Sequence, residues 1–256
     1  MRSSALRCNN DRTRAAPRGI ESTTPAVRPV KLSNDRRSRC FWLGEIGTHR
    51  TIAVQTAIGG LGYDGSASSG FHHMARTRAT RVICLGTAFG VGKCQQAFGD
   101  VLVAKSVFPY EDRDVVASGR CWEYSYSERA TTYPSSREIL KILESQLSKA
   151  PDPGFRVMSG CLLTGHARIR CESYRNDIVR WSRNVGTGHV IGGEMEGLGL
   201  LSLSPKNKPN WMIVKGICDF ADTQQEQEAQ AHRELACKNA ANFVLDSLQS
   251  WVSGSG

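Results

Sequence analysis

Short apolar runs recur between residues 41 and 250, and glycines or polar turn residues follow most of them. Runs of this length predict buried β-strands, here at 81–85, 98–105, 155–163, 190–191 and 211–215. Between them, apolar residues at helical spacing predict helices, at 64–78, 135–147, 171–183 and 227–251. This alternation, over a chain of 256 residues, predicts one large α/β domain.

Three other segments have patterns of their own. Residues 41–56 predict a β-hairpin, because two apolar strands flank a short polar turn. The glycine-rich turn at 59–62 is expected either to line a sugar or anion pocket or to be an ordinary connection. Residues 106–134 are rich in aromatic side chains and are predicted to be irregular. They are interpreted either as an active-site lid or subunit contact, or as ordinary surface packing.

The two ends of the chain lack these patterns. Residues 1–38 are rich in Arg, Ser, Thr and Pro without sustained periodicity, so they are predicted to be a disordered basic extension. The folded domain is therefore expected over residues 39–252. A flexible Ser-Gly tail is expected over 253–256.

Positive charge is concentrated in the N-terminal extension. Residues 1–40 hold ten basic and three acidic residues, a net charge of +7, whereas the whole chain carries +9. The rest of the chain is nearly neutral, which argues against specific nucleic-acid binding. No apolar run approaches the ~20 residues of a membrane helix. The nine cysteines form no C-x-x-C pair, and without a secretory signal they are expected to be reduced thiols in a cytoplasmic protein.

Carboxylates directly follow two of the apolar runs, with Glu194 and Glu196 after the first and Asp219 and Asp222 after the second. A glycine pair before the first two acids predicts a tight turn, and a helix is predicted to begin near Met195. Ligands of open α/β sheets bind beyond the carboxyl ends of the strands. Two carboxylate groups at such an edge predict a site that binds hydroxyl groups and transfers protons.

No other catalytic machinery is indicated by the sequence. The histidines and cysteines lack metal-ligand spacing such as H-E-x-x-H, and no G-x-G-x-x-G follows a strand. Neither a Walker loop nor a G-x-S-x-G elbow is present. The sequence therefore predicts no cofactor and no metal, and it leaves the carboxylates as the candidate catalytic groups.

The acidic stretch resembles the nucleoside phosphorylase/nucleosidase superfamily. The resemblance covers about 41–250 and rests on GEMEG at 193–197, VKGICDFAD at 214–222, VICLGTAFGV at 82–91, FGDVLVAK at 98–105 and SGCLLTG at 159–165. It implies a three-layer α/β/α fold with a central mixed, partly barrel-like sheet. It also implies a homo-oligomer, expected to be a dimer, that cleaves the N-glycosidic bond of purine nucleosides, including methylthioadenosine and S-adenosylhomocysteine.

The resemblance also implies roles for single residues. In N-glycoside cleavage, positive charge develops on the sugar and the leaving base needs a proton. Asp219 is the implied general acid, and Glu196 is the implied acceptor for the ribose hydroxyl groups. Met195 is expected to pack on the sugar, and Glu194 either assists Glu196 or caps the following helix. The other implied substrate contacts are Gly86, Thr87, Leu163, Thr164 and Phe220.

Hydrolysis is predicted in preference to phosphorolysis. Phosphorylases of this superfamily often place an arginine three residues before the position of Thr87, where this chain has Cys84. The alternatives are phosphorolysis to ribose 1-phosphate, nucleotide degradation in stress or anti-phage defence, and a non-catalytic nucleoside-sensing or scaffold module. The expected partner is a small purine nucleoside or nucleotide, with no specific nucleic acid and no membrane.

Overall fold

The computed structural model describes residues 30–31, 39–118, 121–125, 131–147, 154–203 and 209–251. These residues contain five helices: α1 (Ser66–Thr77), α2 (Arg137–Leu147), α3 (Glu172–Asn184), α4 (Gly197–Leu201) and α5 (Gln225–Gln249). Their strands are β1 (Val30–Lys31), β2 (Cys40–Ile46), β3 (His49–Val54), β4 (Val82–Gly90), β5 (Val101–Pro109), β6 (Asp114–Ser118), β7 (Cys121–Ser125), β8 (Tyr133–Pro134), β9 (Val157–Thr164), β10 (Val190–Glu194) and β11 (Trp211–Asp219). Within the described ranges, no helix has the length and apolar character needed to cross a membrane.

The central sheet has the strand order β11-β4-β10-β9-β5-β8, and β11 also pairs with β5. This additional pairing closes β11, β4, β10, β9 and β5 into a barrel-like ring. The ring is mixed, because β4 is parallel to β11 but antiparallel to β10. The predicted fold class, three-layer α/β/α with a central mixed, partly barrel-like sheet, is confirmed. Strand β11 runs antiparallel to β9 and β10, but the register still brings its last residue close to the end of β10, because Phe89 pairs with both Asp219 and Gly193.

A smaller sheet with the order β1-β2-β3 lies beside the ring. Its β2–β3 hairpin is the one predicted over 41–56. β1 comes from within the predicted N-terminal extension and pairs antiparallel with Phe41 and Trp42. The other residues of the extension, 1–29 and 32–38, and those of the tail at 253–256 lie outside the described residues, so the domain boundaries stay predictions.

Strand β11 forms the centre of the core, since every residue from Trp211 to Asp219 is buried. Helix α5 packs closely along it, because a Cβ atom on Gly216 would lie only 2.0 Å from the carbonyl oxygen of Ala236. The apolar stripe that predicts α5 is buried in this contact, at Ala236, Ala240, Phe243, Val244 and Leu248. Polar groups on β11 therefore face protein rather than water and need partners inside the fold.

Two glycines of β10 do not form the predicted turn. Gly192 and Gly193 lie within the strand and pair with β4 on one side and β9 on the other. A Cβ atom on Gly193 would lie 2.2 Å from the ring of Phe89, and one on Gly192 would lie 2.5 Å from a methyl group of Leu102. Close packing across the ring, rather than a turn, requires glycine at these positions.

Several element boundaries also differ from prediction. β4 continues beyond the predicted 81–85 to Gly90, and β11 continues to Asp219 instead of ending in a loop. In both cases the strand is prolonged because a neighbouring strand of the ring pairs with it. Helix α4 begins at Gly197 rather than near Met195, since the two residues after β10 form the connection.

The aromatic segment at 106–134 was predicted to be irregular, and this prediction is wrong for its described part. Strand β5 continues to Pro109, where it pairs with β9. The strands β6 and β7 then form an antiparallel hairpin. Aromatic and β-branched residues favour strands, and that preference is expressed here.

Cysteine chemistry differs from expectation at one position. In the part of the chain that the structure describes, free cysteines occur at Cys40, Cys84, Cys94, Cys161, Cys171 and Cys218. By contrast, Cys237 on α5 is disulfide-bonded. The prediction that all nine cysteines are reduced is therefore wrong at Cys237.

Candidate active site

Three ionisable side chains meet inside the protein where β10, α4 and β11 approach one another. The Lys215 ammonium group lies 2.6 Å from Glu196 Oε2 and 3.7 Å from Glu194 Oε2. None of the three side chains is more than 6% exposed. An isolated buried charge is strongly unfavourable, so this cluster depends on opposite charges and hydrogen bonds within it.

Glu194, the last residue of β10, holds the start of α4. Its carboxylate oxygens accept hydrogen bonds from the backbone N–H groups of Glu196 and Gly197 at 2.9 to 3.0 Å. Burial raises the pKa of Glu194, and the nearby Lys215 charge opposes that rise. Of the two roles considered for Glu194, capping of the helix is the one that these contacts match.

Glu196 is held at three points. Its Oε1 accepts a hydrogen bond from Gly59 N–H at 3.0 Å, and its Oε2 accepts one from Lys215. The Ser66 hydroxyl, at the start of α1, donates to the Glu196 carbonyl oxygen at 2.6 Å. Gly59 has φ = +93°, a conformation that glycine tolerates without steric cost. A carboxylate has about four lone-pair sites, so Glu196 keeps acceptor sites for two further hydroxyl groups.

Lys215 was not identified as a site residue from the sequence. It is fully buried in the middle of β11. Burial disfavours its charge, but the neighbouring Cys84, Glu196 and Glu194 groups outweigh this effect and raise the pKa of Lys215. The lysine therefore stays protonated and fixes the Glu196 carboxylate. A usable signal was present, because a lysine within a buried strand is rare unless it is paired.

Asp219 lies at the end of β11, four residues beyond Lys215, and is 6% exposed. Its Oδ1 accepts a hydrogen bond from Ala221 N–H at 2.9 Å. Its Oδ2 accepts hydrogen bonds from the Cys218 thiol at 3.3 Å and the Gln225 amide at 3.2 Å. Burial raises the pKa of Asp219, although these hydrogen bonds favour the charged form. Asp219 thus keeps its proton to higher pH than an exposed aspartate, as a general acid requires.

A hydrogen-bonded network orients the Asp219 carboxyl group. Gln225, the first residue of α5, donates from Nε2 to Asp219 and accepts from Arg168 Nε at 3.1 Å through Oε1. On the other side, the Thr87 hydroxyl is hydrogen-bonded to Cys218, and burial raises the pKa of that thiol. The contact with Arg168 fixes which end of the Gln225 amide faces Asp219. No sequence pattern had pointed to Gln225.

Three of the predicted substrate contacts, Met195, Thr87 and Gly86, lie beside these groups. Met195 and Thr87 are half-buried, Met195 between the two glutamates in sequence and Thr87 next to Cys218. Gly86 is the β4 residue that pairs with Lys215. These positions place Met195 and Thr87 among the side chains able to touch a ligand at this edge.

The other three predicted contacts are packed in the interior. Leu163 is fully buried in the core beside β10. The Thr164 hydroxyl accepts a hydrogen bond from Leu198 N–H at 3.2 Å, which supports the start of α4. The ring of Phe220 packs edge-on against Phe98, with the centroids 5.2 Å apart. These side chains support the site from within, and their direct contact with a substrate stays a prediction.

Comparison with known proteins extends over nearly the whole chain. A protein-family model described as the phosphorylase superfamily matches residues 13–249. A curated relative, the 5′-methylthioadenosine/S-adenosylhomocysteine nucleosidase of Colwellia psychrerythraea, is 22% identical over 218 residues. That match covers 84% of this chain and 86% of the relative.

Solved structures show the same fold. A 5′-methylthioadenosine/S-adenosylhomocysteine nucleosidase from Neisseria meningitidis, in complex with methylthio-immucillin-A, superposes with a TM-score of 0.67 at 19% identity. It covers 88% of this chain and 90% of its own. The futalosine hydrolase of Helicobacter pylori superposes with a TM-score of 0.63 at 17% identity, covering 87% of both chains.

Proposed function

The chain belongs to the phosphorylase superfamily, and we propose that it is an N-glycosyl hydrolase that releases the base from a purine nucleoside or nucleotide. One observation carries this proposal: β11 holds both Asp219, a buried acid whose pKa burial raises, and Lys215, which anchors the Glu196 carboxylate. A site of this kind combines proton donation to a leaving group with a fixed negative charge and acceptor for sugar hydroxyl groups.

The proposed reaction assigns one task to each group. As the C–N bond lengthens, its electron pair passes to the base and Asp219 donates a proton to the base. Positive charge then develops on the sugar. Glu196 accepts hydrogen bonds from the two ribose hydroxyl groups, and these bonds strengthen as the sugar becomes cationic. Water adds to the sugar carbon and releases one proton to the solvent, while the Asp219 carboxylate takes up a proton from the solvent, which yields free base and free sugar.

The first substrates to test are 5′-substituted adenine nucleosides. The relative from Colwellia psychrerythraea is a 5′-methylthioadenosine/S-adenosylhomocysteine nucleosidase, and the Neisseria meningitidis structure holds methylthio-immucillin-A. The half-buried Met195 supplies an apolar, adaptable surface beside Glu196, which suits a sugar carrying a thioether. Methylthioadenosine and S-adenosylhomocysteine are therefore proposed as substrates, with adenosine and inosine as comparisons.

Cleavage is expected to proceed equally well in phosphate-free buffer, with free ribose or a substituted ribose as the sugar product. Cys84 stands where phosphorylases often carry an arginine, and burial raises the pKa of this thiol to about 12, so it remains neutral. The nearby Lys215 charge is already committed to Glu196. Incubation with methylthioadenosine, S-adenosylhomocysteine, adenosine, inosine and ATP, with and without phosphate, followed by chromatography, measures this.

Other products would select among the alternative functions. Ribose 1-phosphate, formed only when phosphate is present, would replace hydrolysis by phosphorolysis. Release of adenine from ATP alone would support a nucleotide-degrading effector. Saturable binding of a nucleoside without any turnover would favour a sensing module and would contradict the hydrolase proposal.

We also propose that the chain forms a homodimer. Large apolar side chains are exposed next to the Gly59 turn: Leu61 is 69% exposed, Tyr63 99% and Phe71 60%. Exposed apolar groups concentrated on one surface are typical of subunit contacts. Light scattering of active protein is expected to give twice the chain mass of 28.1 kDa. A fully active monomer would contradict the dimer.

The proposed compartment is the cytoplasm. Six described cysteines are free, whereas Cys237 is disulfide-bonded, and a predominance of reduced thiols is usual in that compartment. Fractionation of cells that express the protein at its natural level would test this proposal.

A further inference from the structure

The hydrogen bonds to the Asp219 carboxyl group are distributed unequally between its two oxygens. Oδ2 accepts two of them, from the Cys218 thiol at 3.3 Å and from Gln225 Nε2 at 3.2 Å. Oδ1 accepts one, from Ala221 N–H at 2.9 Å. Each carboxylate oxygen offers two lone pairs, so these donors occupy both sites of Oδ2 and leave one site on Oδ1.

This inequality decides which oxygen binds the acid proton. A proton on Oδ1 takes the remaining site and leaves all three hydrogen bonds intact. A proton on Oδ2 would displace the Cys218 thiol or the Gln225 amide, and both residues are buried. A buried donor without a partner is unfavourable. Oδ1 is therefore the oxygen that binds the proton and from which a leaving base can receive it.

The occupancy of Oδ2 depends on which end of the Gln225 amide faces it. An amide side chain has N–H donors at one end and an acceptor oxygen at the other. A charged Asp219 selects the donor end. A protonated Asp219 does not, because a proton on Oδ2 could be donated to Gln225 Oε1 instead. A rotated amide would therefore hold the acid proton between Asp219 and Gln225, where the base cannot receive it.

Arg168, in the segment after β9, prevents this rotation. Its Nε donates to Gln225 Oε1 at 3.1 Å. Arginine has N–H donors and no acceptor, and it stays charged, so it pairs with the oxygen end of the amide and not with the nitrogen end. The contact therefore fixes the amide in both protonation states of Asp219.

The backbone that carries Arg168 is itself anchored. The Tyr110 hydroxyl donates to the Ala167 carbonyl oxygen at 3.0 Å. The Glu111 carboxylate accepts hydrogen bonds from the backbone N–H groups of His166 and Ala167 at 2.7 and 2.9 Å. Arg168 is exposed, yet its side chain extends from a fixed point towards the buried Gln225.

We propose that Arg168 is a positioning residue for the general acid: by fixing the Gln225 amide, it keeps the acid proton of Asp219 on Oδ1. Arg168 transfers no proton itself. In the reaction, the Oδ1–H bond breaks as the bond from the base to that proton forms, and the carboxyl group is left as a carboxylate. The effect on turnover rests on the proposed hydrolysis, whereas the site of protonation is a property of the free protein.

Loss of the Arg168 side chain is expected to raise the pKa of Asp219. In the parent protein the Gln225 N–H group favours the charged carboxylate, whereas a rotated amide would favour the protonated form. A substitution at position 168 leaves the other nearby groups in place. Those that act on Asp219, directly or through its contact with Cys218, are Cys218 on β11, Thr87 on β4, and Glu228 and Arg233 on α5.

Carbon NMR of the aspartate carboxyl groups measures this pKa without any turnover, and Asp219→Asn assigns the signal. Arg168→Met is expected to move the Asp219 titration to higher pH, while Arg168→Lys, which keeps an N–H donor, stays near the parent protein. The matched control is Arg170→Met, because Arg170 also links the segment after β9 to α5 but pairs with Glu226, at 3.0 Å. The same Asp219 titration in Arg168→Met and Arg170→Met would overturn the proposal.

A double-variant cycle separates the fixed amide from the charge of the arginine. If Arg168 acts through Gln225, Arg168→Met shifts the Asp219 titration in the parent protein but not in a Gln225→Met background. A shift of equal size in both backgrounds would overturn the proposal, since the charge alone would then account for it.

Turnover supplies an independent test. Arg168→Met is expected to lower kcat by ~10-fold with little change in KM, and to move the declining limb of the pH profile to higher pH. The acid then keeps its proton longer but donates it less well. A rise in KM with unchanged kcat would make Arg168 a substrate contact and overturn the proposal. Absence of base release by the parent protein would instead contradict the hydrolase, and the NMR titration would still decide the role of Arg168.

Discussion

Substitution of Asp219 by asparagine is expected to lower kcat for base release by ~10²-fold or more, while KM changes little. Asparagine keeps the shape of the side chain and can still accept the hydrogen bond from Ala221 N–H. It cannot transfer a proton to the leaving base, so the loss falls mainly on the transition state. Steady-state kinetics with methylthioadenosine measures both constants.

The pH dependence of turnover supplies a second readout of Asp219. Because burial raises the pKa of this carboxyl group, its proton is lost only as the pH rises through that raised value. Turnover of the parent protein is therefore expected to decline over this range, since the general acid disappears. Asp219→Asn is expected to lack the declining limb. Near-normal turnover of Asp219→Asn, with an unchanged pH profile, would remove Asp219 from the mechanism.

Comparison with Glu196→Gln separates proton donation from sugar binding. Glu196→Gln is expected to weaken both substrate binding and turnover, because the acceptor for the ribose hydroxyl groups loses its charge. A nucleoside with a chemically activated leaving base needs less protonation. Such a substrate is therefore expected to restore turnover partly in Asp219→Asn but not in Glu196→Gln. Equal rescue of both variants would contradict the separate roles.

The fold class could be predicted from the sequence because the buried strands are continuous apolar runs. β11 illustrates this, since all of its residues are buried and most of them are apolar. The ends of the strands were less predictable. Gly192 and Gly193 have the composition of a turn, and what places them in β10 is the approach of Phe89 and Leu102 from other strands. Local composition contains no information about such neighbours.

The residues of the candidate site likewise comprise some that the sequence could predict and some that it could not. Glu194, Glu196 and Asp219 follow apolar runs directly, so their positions at strand ends were accessible from the sequence. Gln225 reaches Asp219 only because the chain reverses after β11, where Ala221 adopts φ = +53°. A positive φ is uncommon for alanine, and the sequence has no glycine or asparagine at this position to indicate it. Lys215 differs from both cases, because its burial in an apolar strand implied a partner that pattern alone did not identify.

Substitution of Lys215 by methionine is expected to cost ~3–5 kcal/mol of folding free energy, because it leaves buried carboxylates without their cation. For a domain of this size, such a loss corresponds to a fall in Tm of roughly 10 °C. Turnover is expected to fall as well, since Glu196 would lose the group that fixes Oε2. Thermal unfolding and base-release assays on the same preparation measure the two effects.

A matched substitution on a neighbouring strand separates buried charge from loss of a lysine. Lys105→Met removes an exposed pair with Glu144, whose side chain is 37% exposed, and such surface pairs contribute ~1 kcal/mol or less. In Lys215→Met, the folded-state pKa of Glu194, which burial already raises, should rise further because the Lys215 charge that opposes the rise is gone. The stability deficit is then largest above that raised value and shrinks as the pH falls towards the ~4.3 of an ordinary glutamate, because the buried carboxylate takes up a proton. A deficit that is independent of pH, or equal to that of Lys105→Met, would show that Lys215 contributes by packing and not by charge.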